Sequence, residues 1–175
     1  MDPRFALIPL RPEHKAQVVQ LLIASLGISL FFQNFDKEVA DFPGAYTEEN
    51  RGSFFVVIDN HSETEKIVAC IGLRPFKGFA DTDMLDYPLG SPETTKVCEM
   101  KRLYVIPEYR RYKIGAALVE KVIEDGRARG YTSMVLDTIP TLVGATRLYQ
   151  GRGFKEMSGC IDNADLQRLY FELEL

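Results

Sequence analysis

The chain has 175 residues, of which 46% are hydrophobic and 26% charged. This balance suits one domain over residues 1–175 with its own core and excludes a disordered, collagen-like or coiled-coil chain. The net charge of −4 excludes a protein that coats nucleic acid or an anionic membrane, so any anion site has to rest on locally placed cations. Cys70, Cys98 and Cys160 have the spacing of neither a disulfide framework nor a zinc site and read as buried thiols. No run of about 18 uncharged apolar residues occurs, and the short apolar run after Arg4 is no leader, so a soluble, cytoplasmic protein is expected. His14 and His61 are expected at the surface, and the sequon at Asn60-His61-Ser62 reads as chance.

In chain order, Phe5 to Leu10 reads as a strand. Pro12 and Glu13 suit a helix start, because proline loses nothing at the first helical position and an acid favours the dipole there. The helix runs to about Leu26, with Val18, Leu22 and Leu26 on one face, Val19 and Ile23 beside them, and Gly27 as the stop. Ser53 to Asp59 and Lys66 to Phe76 are β-branched and aromatic runs joined by a polar loop, which predicts an antiparallel hairpin. Lys77 to Thr95 has no periodicity and carries two prolines, two glycines and four acids against one lysine; a loop this long in a compact domain implies a task or disorder.

Lys96 to Val105 follows as a strand, with Val97, Glu99, Lys101, Leu103 and Val105 on one face. Ile114 to Arg129 reads as a helix with Ile114, Leu118 and Val122 in register and Gly130 as its stop. Thr132 to Thr138 is a further strand. Thr141 is expected to cap a short helix bearing Leu142, Ala145, Leu148 and Tyr149, which Gly151 closes. Leu169, Phe171, Leu173 and Leu175 alternate with polar neighbours as a half-buried strand. The order β-α-(α)-β-β-β-α-β-α-β implies an α/β domain with a mixed sheet.

The chemistry concentrates between Glu99 and Leu118. A strand enters a basic turn, and the turn enters a helix, whose first N–H groups lack partners and whose dipole end favours an anion. Residues 96–113 hold six basic and two acidic side chains, so this stretch is +4 while the remainder of the chain is −8. Arg110-x-x-Lys113-x-Gly115 resembles the acetyl-CoA signature of the GCN5-related N-acetyltransferase (GNAT) family, Arg/Gln-x-x-Gly-x-Gly/Ala. Lys101-Arg102-Leu103-Tyr104-Val105 is similar to the strand before that signature, and Leu136-Asp137-Thr138 and Leu148-Tyr149-x-x-x-Gly153-Phe154 are similar to the family's later blocks. The departure is Lys113 at the place of the first motif glycine, where a side chain either crowds the pyrophosphate or adds a cation to it.

The resemblance implies a mixed, mostly antiparallel sheet flanked by helices, with a splayed strand pair at the acyl-CoA site. It implies acetyl-CoA as cofactor, no metal, and direct transfer of acetyl to a primary amine of a small molecule or peptide through a tetrahedral intermediate. Leu103, Tyr104 and Val105 would line the pantetheine arm, and Arg110, Arg111, Tyr112, Lys113, Ile114, Gly115 and Ala116 the pyrophosphate. Tyr149, near the thioester, would protonate the departing thiolate; its other reading is a core tyrosine. Glu99 stands where part of the family has a general base, and its apolar neighbours would raise its pKa. Its other reading is a strand carboxylate paired with Lys101 or Arg102. Phe31, Phe32, Gln33, Phe35 and Asp137 are the acceptor-side candidates, an aromatic and acidic mouth for a cationic amine. A monomer or homodimer that binds neither nucleic acid nor membrane is expected. The alternative is a non-catalytic acyl-CoA-binding module on the same fold.

Overall fold

The structure, a computed structural model, describes residues 1–25, 35–78, 96–157 and 168–175. Seven strands form one mixed sheet in the order β1-β2-β3-β4-β5-β7-β6, and the chain divides into two compact units.

The first unit comprises Met1–Arg74 and Lys101–Val122. Strand β1 (Phe5–Pro9) pairs antiparallel with β2 (Ser53–Asp59), and β2 pairs antiparallel with β3 (Lys66–Pro75). Every residue of β2 is buried, so its run of aromatic and β-branched side chains has both faces covered and shows no polar alternation. Helix α1 (Lys15–Ser25) lays Val18, Leu21 and Leu22 on the core, while Ile23, expected on that face, is 51% exposed. Leu26 and Gly27 lie outside the described residues. A second helix, α2 (Phe35–Asp41), fills the optional position in the expected order. Phe42 and Tyr46 meet Phe54 edge-on at 4.9 and 5.3 Å, within a core that includes Val18, Leu22, Val56 and Cys70. Gly72 makes room for this cluster, because a Cβ there would stand 2.6 Å from the Tyr46 ring.

His14 corrects the surface expectation, being 1% exposed. Its Nδ1 accepts the Arg11 N–H at 3.3 Å and its Nε2 faces Glu65 at 3.5 Å. The ring therefore serves the chain entering α1, and that local bond draws it inward. His61 is exposed, as expected.

The second unit comprises Pro75–Met100 and Ile123–Leu175. Strand β4 (Val97–Val105) begins here and continues into the first unit, while helix α3 (Ile114–Ala128) begins in the first unit and ends here. Strand β5 (Ser133–Thr138) pairs parallel with β4 and, along its whole length, antiparallel with β7 (Leu169–Glu174). Phe76, Val97, Val135 and Tyr170 pack as one buried cluster. Gly130, with φ +77°, stops α3 as expected, supplying a left-handed residue without steric cost.

Helix α4 (Val143–Gln150) starts after Leu142, with no side-chain cap. Thr141 is thus one residue too early to be the cap. Gly151 keeps right-handed geometry, and the left-handed residue is Gly153 at φ +89°. Strand β6 (Lys155–Glu156) pairs with β7 and was not expected, since two residues carry no periodicity. Among the described residues no helix is long and apolar enough to cross a membrane, and no group of side chains could hold a metal ion.

Candidate active site

In the first unit the basic turn is a 3-10 helix, Pro107–Tyr112, which hands the chain to Lys113 at φ +57°, ψ +18°, and then to α3. Ile114, Leu118 and Val122 are fully buried, which fixes the helix on its core face. Lys113 accepts the Ala117 N–H at 3.2 Å, so the amides of Ile114, Gly115 and Ala116 belong to the opening turn, which has no intrahelical acceptor. That turn holds no acid, and Arg110, Arg111 and Lys113 are exposed around it. Orphan donors, a positive dipole end and three cations fit a pyrophosphate.

The left-handed backbone at Lys113 supplies a physical reason for glycine in the family motif: an L side chain is strained there. The exposed lysine points away from its own helix core and leaves the turn intact. The Tyr112 ring packs on Phe5 at 5.1 Å. The Arg110 side chain folds back, with Nε donating to the Val105 carbonyl at 3.1 Å.

Before the turn, Leu103, Tyr104 and Val105 are half-buried. Arg102 stands at φ +59° inside β4, which breaks the strict alternation expected of this strand: residues 97–100 are all buried and 101–105 all half-buried. A left-handed residue in a strand bends it and re-aims the side chains that follow. Cys70 donates to the Arg102 carbonyl at 3.4 Å. Burial pushes the Cys70 thiol up to about 12, against the charge of Arg102 and a backbone hydrogen bond from Tyr104.

The Arg102 guanidinium gives Nε and one terminal nitrogen to the two oxygens of Glu38, both at 2.7 Å. Tyr46 donates its hydroxyl to the same carboxylate at 2.7 Å, and Arg74 reaches it at 3.5 Å. Burial alone would raise the Glu38 pKa, but Arg102's hydrogen bonds and charge, with Tyr46 and Arg74, carry it below its ordinary value. Glu38, Tyr46 and Arg74 were missed from sequence because Glu38 lies 64 residues from Arg102 and no local pattern links them.

The second unit holds Glu99, Tyr149 and Asp137. Glu99 is 1% exposed and pairs with Val135 in the last registered step between β4 and β5. That ladder contains only Val97–Glu99 against Ser133–Val135, although β5 continues to Thr138 against β7. Tyr149 is 7% exposed on α4, against Phe154 at 6.0 Å and Phe171 at 6.5 Å. Burial, and then the negative charge of Asp137, push its phenol well above the ordinary value. An ordinary phenol already carries its proton at neutral pH, and the shift leaves it there. The Asp137 carboxylate is itself almost buried and takes Arg168 at 3.2 Å, a partner the sequence reading did not contain. Phe31, Phe32 and Gln33 lie outside the described residues, as does the side chain of Phe35.

At the level of family and fold, the chain is similar to known proteins. A model of the acetyltransferase (GNAT) family matches residues 20–154. An uncharacterized N-acetyltransferase of Schizosaccharomyces pombe is 35% identical over 158 residues, covering 90% of this chain and 85% of its own. Human N-acetyltransferase 8 is 33% identical over 119 residues, covering 68% of this chain and 45% of its own. A GCN5-related N-acetyltransferase from Kribbella flavida shares the fold with a TM-score of 0.75 at 12% identity, over 100% of both chains. A Salmonella typhimurium protein, a putative acetyltransferase solved with its cofactor acetyl-CoA, does so with a TM-score of 0.73 at 13% identity, over 98% of this chain and 94% of its own.

Proposed function

Since the chain belongs to the GNAT acetyltransferase family and is an N-acetyltransferase by class, we propose that it passes acetyl from acetyl-CoA directly to a primary amine of a small molecule or peptide. The observation that carries this reading is the entry into α3, where Lys113 turns the chain left-handed and presents acid-free, cation-flanked amides. Acetyl-CoA, when bound, supplies the activated acetyl thioester. The Ile114–Ala116 amides bind its pyrophosphate, with Arg111 and Lys113 as flanking cations, and the backbone of Leu103–Val105 orients the pantetheine arm.

Glu99 takes the proton of the acceptor amine, directly or through water, leaving a neutral nucleophile. Tyr149, whose phenol carries its proton at neutral pH, gives its hydroxyl proton to the departing sulfur. Phe31, Phe32, Gln33, Phe35 and Asp137 are the residues proposed for the acceptor side. The buried thiols of Cys70 and Cys98, neither in a disulfide, suit a reducing compartment such as the cytoplasm.

The test is thiol release from acetyl-CoA across a panel of primary amines, alongside coenzyme A binding by calorimetry. The wild type is expected to bind coenzyme A and to release thiol with at least one amine class. Tyr149→Phe is expected to lose about 10²–10⁴-fold in kcat, with binding unchanged because the ring contacts remain. Binding without turnover across the panel would replace this reading with a non-catalytic acyl-CoA module. Full turnover in Tyr149→Phe would remove the tyrosine from the mechanism.

A further inference from the structure

The turn from Pro107 to Lys113 is a poor structure on its own. A 3-10 helix has weak hydrogen-bond geometry, the turn gathers the like charges of Arg110, Arg111 and Lys113, and Lys113 sits in a strained backbone region. Something outside the turn has to hold it, and the first unit contains that anchor. Asp59, at the end of β2, is 2% exposed. Its carboxylate accepts Arg4 Nε at 2.8 Å, a terminal Arg4 nitrogen at 2.5 Å, the His61 N–H at 3.1 Å and the Tyr109 hydroxyl at 3.2 Å.

Arg4 in turn lies over three rings. Its guanidinium carbon is 5.1 Å from the Phe5 centroid and 5.6 Å from those of Tyr109 and Tyr112. Phe5 meets Tyr112 edge-on at 5.1 Å and Tyr109 at 6.0 Å, and the Lys66 ammonium stands 5.4 Å from the Tyr109 ring. Both tyrosines of the turn are thus pinned to β1 and the end of β2 by one carboxylate and one guanidinium. These contacts leave the peptide edge of the turn, rather than its aromatic side chains, for a ligand.

We propose that Asp59 and Arg4 are positioning residues for cofactor binding: through Tyr109 and Tyr112 they hold the basic turn so that the opening amides of α3 converge on one anion. This rests on the reading of residues 110–116 as the pyrophosphate cradle. A turn released from its anchor populates the binding geometry only part of the time, and the apparent dissociation constant rises by the inverse of that fraction. Chemistry downstream of saturation is untouched.

The experiment measures the coenzyme A dissociation constant by calorimetry, kcat at saturating acetyl-CoA, and Tm, for the wild type, Asp59→Asn, Tyr109→Phe, Arg111→Ala and Ile71→Val. Asp59→Asn is expected to weaken coenzyme A about tenfold with kcat unchanged. Tyr109→Phe, which keeps the ring under Arg4 and loses only the hydroxyl, is expected to weaken it about threefold; this variant decides the matter if Asp59→Asn does not fold. Ile71→Val, a fully buried core change in β3, is expected to lower Tm without moving the dissociation constant. If Arg111→Ala weakens coenzyme A while Asp59→Asn and Tyr109→Phe do not, the anchor is overturned and the cradle stands. If Arg111→Ala has no effect either, the cradle reading falls and takes the anchor with it.

Discussion

Lys113 allows strain and charge to be separated at one position. At φ +57° and ψ +18° an L residue costs about 1–2 kcal/mol relative to right-handed geometry. Glycine avoids that cost, but folding takes about 0.5–1 kcal/mol more backbone entropy from it. Lys113→Gly is therefore expected to be up to about 1.5 kcal/mol more stable than Lys113→Ala, which keeps the strain; in a chain of this size the upper limit is a Tm difference of about 3–6 °C. Both variants lose the same exposed cation, so both are expected to bind coenzyme A more weakly than wild type by an equal factor, about fivefold at most. The loss should shrink at high salt, where exposed charges are screened. Urea denaturation and calorimetry at two ionic strengths measure all four quantities. Lys113→Gly proving less stable than Lys113→Ala would refute the strain argument. Tighter coenzyme A binding by Lys113→Gly than by wild type would show that the side chain crowds the site.

Glu38→Gln removes the carboxylate shared by Arg102, Arg74 and Tyr46 and is expected to cost about 3 kcal/mol at neutral pH, the scale of breaking a buried pair. Because Glu38 titrates below its ordinary value of 4.5 in the folded protein, its contribution is complete above that value and is lost as the pH falls below it and through the lower folded value. The stability gap between wild type and variant should therefore close on acidification, and urea titrations between pH 7 and pH 3 that show a constant gap would contradict the pairing. Glu99→Gln cannot accept a proton, so it is expected to remove the limb of the pH–rate profile that rises with pH; an unaltered profile would leave Glu99 as a structural carboxylate.

Much of the architecture was legible because it is written in local periodicity. β2 and β3 announce themselves as unbroken β-branched and aromatic runs, α3 as a four-residue apolar repeat ended by Gly130. The misreadings fall where a local rule was asked to describe something set by packing. The alternation of β4 was projected through Arg102, whose left-handed backbone cannot be seen in its side chain. His14 was placed at the surface on its polarity, yet a bond to its own chain draws it inward. Thr141 had the chemistry of a cap but stood one residue off, since helix ends are set by where the backbone turns.

Of the candidate site, the motif residues around α3 were readable because a strand, a basic turn and a helix start are contiguous in sequence. Their supports were not: Arg4 and Asp59 are 55 residues apart, Tyr109 and Asp59 are 50 apart, and Glu38 and Arg102 are 64 apart. The sequence by itself determined most of the elements and the basic turn, and it nominated the residues proposed to hold an anion or move a proton, because those depend on neighbours along the chain. Only the tertiary structure decided which carboxylate meets which guanidinium, that Tyr149 is buried against Phe154 and Phe171, and that Lys113 bears the geometry of a glycine. Pairings, burial and strain arise when distant segments exclude water from one another, and no local pattern encodes that.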